Sequence, residues 1–444
     1  MFNRLFVWAL ACLSAVSVGA QVPSADSTTS PMAGLRHDNT PAITPDSLPG
    51  SELAAFIETT APLTLAQAVN YALAANAGLA AAAREVRAFD GARLQGSLRP
   101  NPELDLQVED LRDRNRSTTL ALSQRIERGG KREARMAVAE AGQGVAARDF
   151  VARQRALRAQ VEAAFQGVVG AQENLRIARG SLELAEQVSA VAAKRVKAGK
   201  VSPIEETRAR LAEASIRAEL GAAVGDLRVA RTRLSTLWGN PQPRFDLADG
   251  ALDGEIALPE LDALLVALDA APLIERARAE ATRRRAVVEL ERSRGVQDVT
   301  VSAGMRRNEE LGLNQMVFGV SIPLAMNDRN QGALLEAVLR ADQAKDEVAA
   351  LRMELSARLA RAHERASTAR ELVQALERDI LPGADSAFRA ATTGFELGKF
   401  TFLEVLDAQR TLFQARTQYV RALTDMHDAM ADLRSVVGDG ANGQ

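Results

Sequence analysis

The spacing of apolar and polar positions changes period several times along the chain. In ELDLQVED, residues 103–110, Leu104, Leu106 and Val108 alternate with Asp105, Gln107 and Glu109. A period of two predicts a strand with one oily and one wet face. STTLALSQRIE sets Leu120, Leu122 and Ile126 on one side and predicts a second strand over about 117–127. Two more strands are predicted at about 297–305 and 315–324. Val299, Val301, Ala303 and Met305 share one face of the third. Met316, Phe318, Val320, Ile322 and Leu324 share one face of the fourth.

Around these strands the period lengthens to that of a helix. One helix is predicted over about 64–98, ended by Pro100 and Pro102, which force extended backbone. From Lys131 to Lys197 there is no proline. Leu157, Val161, Phe165, Val168, Leu175, Ala178, Leu182, Ala185, Ala192 and Val196 recur there at helical spacings, a coiled-coil-like seam. At 1.5 Å per residue such a helix spans on the order of 100 Å. Its counterpart, from about Gln331, contains Pro382-Gly383, which predicts a kink or break. Gly199 and Gly398 each predict a turn into a returning helix, and Pro203 fits a first helical position.

The pattern is written twice. GKVSPIEETRARL begins at Gly199 and GKFTFLEVLDAQRTL at Gly398; LSTLWG begins at Leu234 and LRSVVG at Leu433. Separate anchors in a common register indicate two copies of one structural unit. The predicted organisation is a signal peptide at 1–20, an extended or mobile leader at 21–60, and repeat one at 61–239. A Pro/Gly-containing linker at 240–257, repeat two at 258–438 and a tail at 439–444 complete it.

Composition narrows the function. Of 444 residues, 55 are basic and 57 acidic, a balance that gives no support to nucleic-acid binding. Aromatics make up 4%, so small-residue helix packing is expected rather than a core of large rings. His37, His363 and His427 are far apart, and no CxxC or HExxH spacing exists, so no metal site or cofactor is predicted. No nucleophile–base pair or phosphate loop is visible, and the chain is not read as an enzyme. At the N-terminus, Arg4, an apolar run and Val18-Gly19-Ala20 read as a secretory signal cut after Ala20. That cut removes Cys12, the single cysteine, and is preferred to lipid attachment there. No later run reaches the ~20 apolar residues of a spanning helix, so entry into a membrane would be by strands.

Four strands cannot close a membrane barrel, because the smallest have about eight. Either several chains share one barrel or two soluble hairpins cap a helical bundle. In a shared barrel Asp105, Gln107 and Glu109 face the lumen, and Leu104, Leu106 and Val108 face lipid. Three further segments carry a resemblance. LSQRIERGGKREAR, VSIPLAMNDRNQGALLEA (with Asn330, Gln331 and Gly332) and FELGKFTFLEVLDAQRTL resemble the two strand-to-helix junctions and the second helical tip of TolC-type outer-membrane efflux proteins. The GGKR form of the first junction resembles the heavy-metal (cobalt–zinc–cadmium) RND efflux branch. The resemblance covers nearly all of residues 63–438.

That resemblance implies a mainly α protein with a small β part. It implies a homotrimer whose pooled strands form a twelve-stranded outer-membrane barrel, continued by a long periplasmic helical barrel. A periplasmic adaptor protein and an inner-membrane RND pump are the implied partners, with outer-membrane lipid around the barrel. Glu404 and Asp407 match the family's acidic periplasmic constriction. The matching positions in repeat one are Glu205 and Arg208, where a Glu–Arg pair is an alternative lock. First-turn helix-dipole compensation is the competing reading of these acids. Lys197, Gly199, Lys200, Leu397, Gly398 and Lys399 fall at the tips that would meet the adaptor. Met305, Met316 and Met326 raise a metal-path reading, but the first two share the apolar strand face. The readings carried forward are a metal-cation exit duct, the same duct serving drugs or other small molecules, and a soluble periplasmic coiled-coil scaffold.

Overall fold

The computed structural model describes residues 58, 60–110, 112, 115–253 and 257–438, all within one compact unit, Ala55–Gln444. The signal peptide, Cys12, His37, most of the leader and the tail 439–444 lie outside the described residues.

Strand β1 (Leu63–Thr64) leads into α1 (Leu65–Ala75), whose N-terminus is closed by a capping box between Thr64 and Gln67. The predicted 64–98 helix is in fact two helices. Asn76 leaves the helical backbone, accepts the Leu79 N–H on its side chain and so starts α2 (Ala77–Ser97). Its amide also donates to Leu237 O at 2.8 Å, a contact across 161 positions that no local pattern announces.

Strands β2 (Glu103–Glu109) and β3 (Ser117–Ile126) come next, then α3, which runs unbroken from Lys131 to Lys197. Helix α4 (Pro203–Thr236) returns along it. The linker carries β4 (Ala248–Asp249), which pairs in parallel with β1 and ties the start of repeat one to its end. Glu58 lies inside the segment read as extended or mobile, yet it is buried. Its carboxylate accepts from Trp238 Nε1, Asn240 Nδ2 and the backbone N–H groups of Arg244 and Phe245.

Repeat two follows with α5 (Leu261–Ala267), α6 (Pro272–Arg294), β5 (Val299–Asn308), β6 (Leu313–Ser321) and α7 (Gln331–Ala375). The fourth strand ends at Ser321, so Ile322 and Leu324 lie beyond it. Pro382 does not stop the second long helix. A π-turn, Leu376–Ile380, precedes it and passes directly into α8 (Leu381–Glu396). Proline lacks an N–H and its ring crowds the carbonyl four residues back, and a π-turn absorbs both defects without ending the helix. Helix α9 (Phe402–Val437) closes the repeat.

The predicted seam of α3 is the buried one. Leu157, Val161, Phe165, Val168, Leu175, Ala178, Ala185 and Ala192 are buried, while Leu182 and Val196 are half-buried. Phe165 and Val161 enter the main core with Leu63, Leu234, Trp238 and Phe245, where Trp238 packs edge-on against Tyr71. The four long strands form one antiparallel sheet in the order β2-β3-β5-β6. At both strand-to-helix junctions the residue before the helix is left-handed: Gly130 (φ 73°) and Asn330 (φ 62°). Lys131–Asp298 at 2.7 Å and Arg135–Glu127 at 2.5 Å fasten α3 to the sheet.

Candidate functional site

The sheet has its faces the wrong way round for a water-soluble protein. Leu104, Leu106, Leu120, Leu122, Met305, Met316, Phe318 and Val320 lie on one face, and all are exposed; Leu104 is 70% and Phe318 71% accessible. The polar face holds the covered residues, Ser117 at 7% and Thr119 at 8%. A sheet in water buries its oily face. One that shows it to the outside suits a lipid surround.

Asp105, Gln107 and Glu109 lie together on the polar face. Ser123 Oγ donates to Asp105 at 3.0 Å, Ser117 Oγ to Glu109 at 3.3 Å, and Gln107 Nε2 to Glu109 at 3.0 Å. The face is not purely acidic. Strand register places Arg125 and Arg306 on it, opposite Thr300 and Thr119. The predicted third strand stops at about 305, which leaves Arg306 to the loop, whereas β5 runs on to Asn308 and carries Arg306 within the sheet. Gly304 stands on the same face, and a Cβ there would sit 2.7 Å from Ala121 Cα. Only glycine permits that close approach, which draws β3 and β5 together on the polar side.

The two helical tips share one turn geometry. Gly199 N donates to Val196 O and Lys200 N to Arg195 O; Gly398 N donates to Phe395 O and Lys399 N to Gly394 O. These are paired Schellman bonds, with Gly199 (φ 68°) and Gly398 (φ 74°) in the left-handed region. Lys197, Lys200, Leu397 and Lys399 are exposed. Arg195, which sequence reasoning did not single out, joins the tips. It donates to Phe395 O at 3.0 Å, and its guanidinium lies 4.3 Å from the Phe395 ring centre. Val188, Ala192, Ala209, Ala391, Phe395, Phe402 and Val405 form the shared apolar cluster behind it.

Glu404 and Asp407 are both exposed on α9. The Glu404 carboxylate accepts the Thr401 N–H at 2.6 Å and the Thr401 hydroxyl at 2.9 Å, so it also caps the helix. In repeat one, Glu205 is half-buried and Arg208 exposed, and among the described residues no ion pair joins them. The arginine that does pair there is Arg210, with Glu206 at 2.5 Å.

Among the described residues no group of three or more His, Cys, Asp or Glu could hold a metal ion. Met305 and Met316 face each other across β5 and β6 on the apolar side. His363 and His427 are each 3.1 Å from a backbone carbonyl, of Pro259 at the start of repeat two and Leu252 in the linker, and tie these segments to α7 and α9. Burial holds the His427 imidazole below its usual pKa, against the raising effect of the Leu252 hydrogen bond.

Known proteins share this arrangement. The sequence profile described as "Outer membrane efflux protein" matches residues 68–240 and 264–439. The cobalt-zinc-cadmium resistance protein CzcC of Cupriavidus metallidurans is 43% identical over 381 residues, which cover 86% of this chain and 91% of that one. A membrane protein from Pseudomonas aeruginosa superposes with TM-score 0.72 at 21% identity, covering 84% of this chain and 92% of its own. The open-state outer membrane channel MtrE of Neisseria gonorrhoeae superposes with TM-score 0.71 at 21% identity, covering 85% and 89%. The fold is shared with these solved structures, and the chain belongs to the outer membrane efflux protein family.

Proposed function

We propose that three copies of this chain assemble into the exit duct of a tripartite RND-type efflux pump that exports heavy-metal cations. The observation that carries this reading is the outward apolar face of a sheet with two open edges. β2 and β6 each have one neighbour in the sheet. An open edge is not viable in lipid, so the edges must find each other in other copies. Three chains of four strands give a closed ring of twelve, a size that membrane barrels adopt. Exposed leucines flank both edges, Leu94 on α2 and Leu98 just after it, and Leu335 and Leu339 on α7. A head-to-tail contact of one flank on the other closes a ring by rotation.

Within this reading, Asp105, Gln107 and Glu109 line the barrel and the long helices form the periplasmic conduit. Glu404 and Asp407 from three chains meet at its mouth, with Glu205 and Arg208 beside them. The tip residues Lys197, Gly199, Lys200, Leu397, Gly398 and Lys399 form the surface that receives a periplasmic adaptor protein. The cargo follows from the metal-resistance relative. Deleting the chain from its native host and titrating zinc, cobalt and cadmium tests it. Loss of tolerance restored by the wild-type chain supports the reading. Unchanged metal tolerance with raised drug sensitivity assigns the duct to another cargo. Purified protein that stays monomeric and outside the outer-membrane fraction defeats the duct itself.

A further inference from the structure

We infer that Arg306 sets the charge selectivity of the barrel. This rests on the duct reading above. On β3 and β5 the polar face is mostly short side chains, Ser117, Thr119, Ala121 and Ser123 on β3 and Thr300, Ser302 and Gly304 on β5, with Arg125 at the helix end of β3 and Arg306 toward the other end of β5. Against that low wall Arg306 is the longest side chain of β5 on the polar side. Its place is fixed. Nε donates to Thr119 Oγ1 at 3.0 Å, and Nη2 stands 4.0 Å from Glu109 Oε1. Glu109 is itself held by Ser117 and Gln107. A guanidinium keeps its charge at every working pH.

Rotation about a three-fold axis turns one such group into three at a single height. A fixed positive ring in a water-filled pore with low-dielectric walls repels cations and favours anions. Asp105 and Glu109 pull the other way. The barrel's preference is therefore a difference between two opposed sets of charges, and Arg306 is the member that limits cation flow. Its neighbour in sequence supplies an internal control. Arg307 has the opposite side-chain parity and binds Glu309 at 2.9 Å, so it adds nothing to the lumen.

The test is the reversal potential of the purified full-length trimer in planar bilayers under a potassium chloride gradient. Arg306→Gln is expected to raise the cation-to-anion permeability ratio by about twofold or more, and Arg306→Glu to raise it further. Glu109→Gln is expected to lower it, and Arg307→Gln to leave it at the wild-type value. Arg306→Lys, which keeps the charge, should also hold the wild-type ratio. Inserted Arg306→Gln and Arg306→Glu channels with the wild-type ratio overturn the assignment, as does an Arg307→Gln shift equal to that of Arg306→Gln. If wild-type trimers conduct and only these shifts are missing, the Arg306 proposal alone fails. If the wild-type protein forms no channel, the duct reading fails and takes the proposal with it.

Discussion

The sheet and the helical stem use the same residues in opposite ways. In the stem, Leu157, Val161 and Phe165 are buried and arginines such as Arg153 and Arg158 face outward in ion pairs along the helix. In the sheet, Leu104, Phe318 and Val320 face outward and Ser117 and Thr119 are covered. One chain therefore carries two opposite burial patterns, which meet near the junctions at Gly130 and Asn330. Burial is not a property of a residue type but of what lies outside it.

The strongest way to break the comparison is to put a charge on each face of β2. Leu106→Arg is expected to abolish trimer assembly in the outer membrane, since arginine facing midplane lipid costs about 2–4 kcal/mol per chain. Gln107→Arg, one residue on, is expected to assemble normally and change only conductance. Heat-modified migration of membrane fractions reads both. Equal assembly would mean that the two faces are misassigned.

A pair of phenylalanines sharpens it further. Phe165 sits at 1% exposure in the stem core, so Phe165→Ala should cost about 3–5 kcal/mol and lower the heat stability of the detergent-purified protein sharply. Phe318→Ala removes an equal ring from the outward face, where no protein cavity is left behind, and should lower the midpoint by a small fraction of that. Comparable losses would imply that Phe318 is covered by protein.

Much of this division was legible in the sequence, and what was missed has identifiable causes. The four alternating runs, the α3 seam and both glycine turns depend on neighbours close in sequence, and local period exposes them. The split at Asn76 rests on a local cap that the helical period of 64–98 masked, but the burial of Glu58 and the Arg195–Phe395 contact depend on partners 180 to 200 positions away. Local pattern is silent about those. Arg306 fell outside the predicted strand because the run Arg306-Arg307-Asn308 is polar throughout and has no apolar alternation to extend β5 beyond Met305. The Pro382 kink was anticipated as a defect; the π-turn that accommodates it was not.

The tips offer a subtler contrast, because Glu404 is both a helix cap and a candidate gate charge. Glu404→Gln/Asp407→Asn keeps hydrogen-bonding side chains and removes charge alone. It is expected to weaken block by multivalent cations from the periplasmic side and to lower cation selectivity, without loss of the trimer. Glu404→Ala/Asp407→Ala should do the same and also remove the Glu404 half of the capping box, lowering the thermal midpoint. If block and selectivity survive in well-folded double variants, these acids are caps only.

The smallest expected effect concerns pH. His427 has a folded pKa below its unfolded value, so the folded state disfavours its proton. Its contribution to stability is present above the unfolded pKa, about 6.5, and is lost as pH falls through the lower folded value. His427→Gln keeps a donor for Leu252 O and should flatten the fall in thermal midpoint between about pH 7 and pH 5. An unchanged slope would place the titrating group elsewhere.

The arms between junction and tip have nearly equal length. Helix α3 has 67 residues; its counterpart has 45, 5 and 16 in succession, one fewer in all. That equality is what lets Arg195 reach Phe395. One residue inserted in a single arm would advance its tip by about 1.5 Å and turn it by about 100°, carrying the two partners apart. Length in this part of the chain is therefore a shared gauge. Insertions and deletions among relatives should occur in both arms together, in steps of about seven residues that restore the facing of the helices. A relative with one arm altered alone should have lost the bond between its tips.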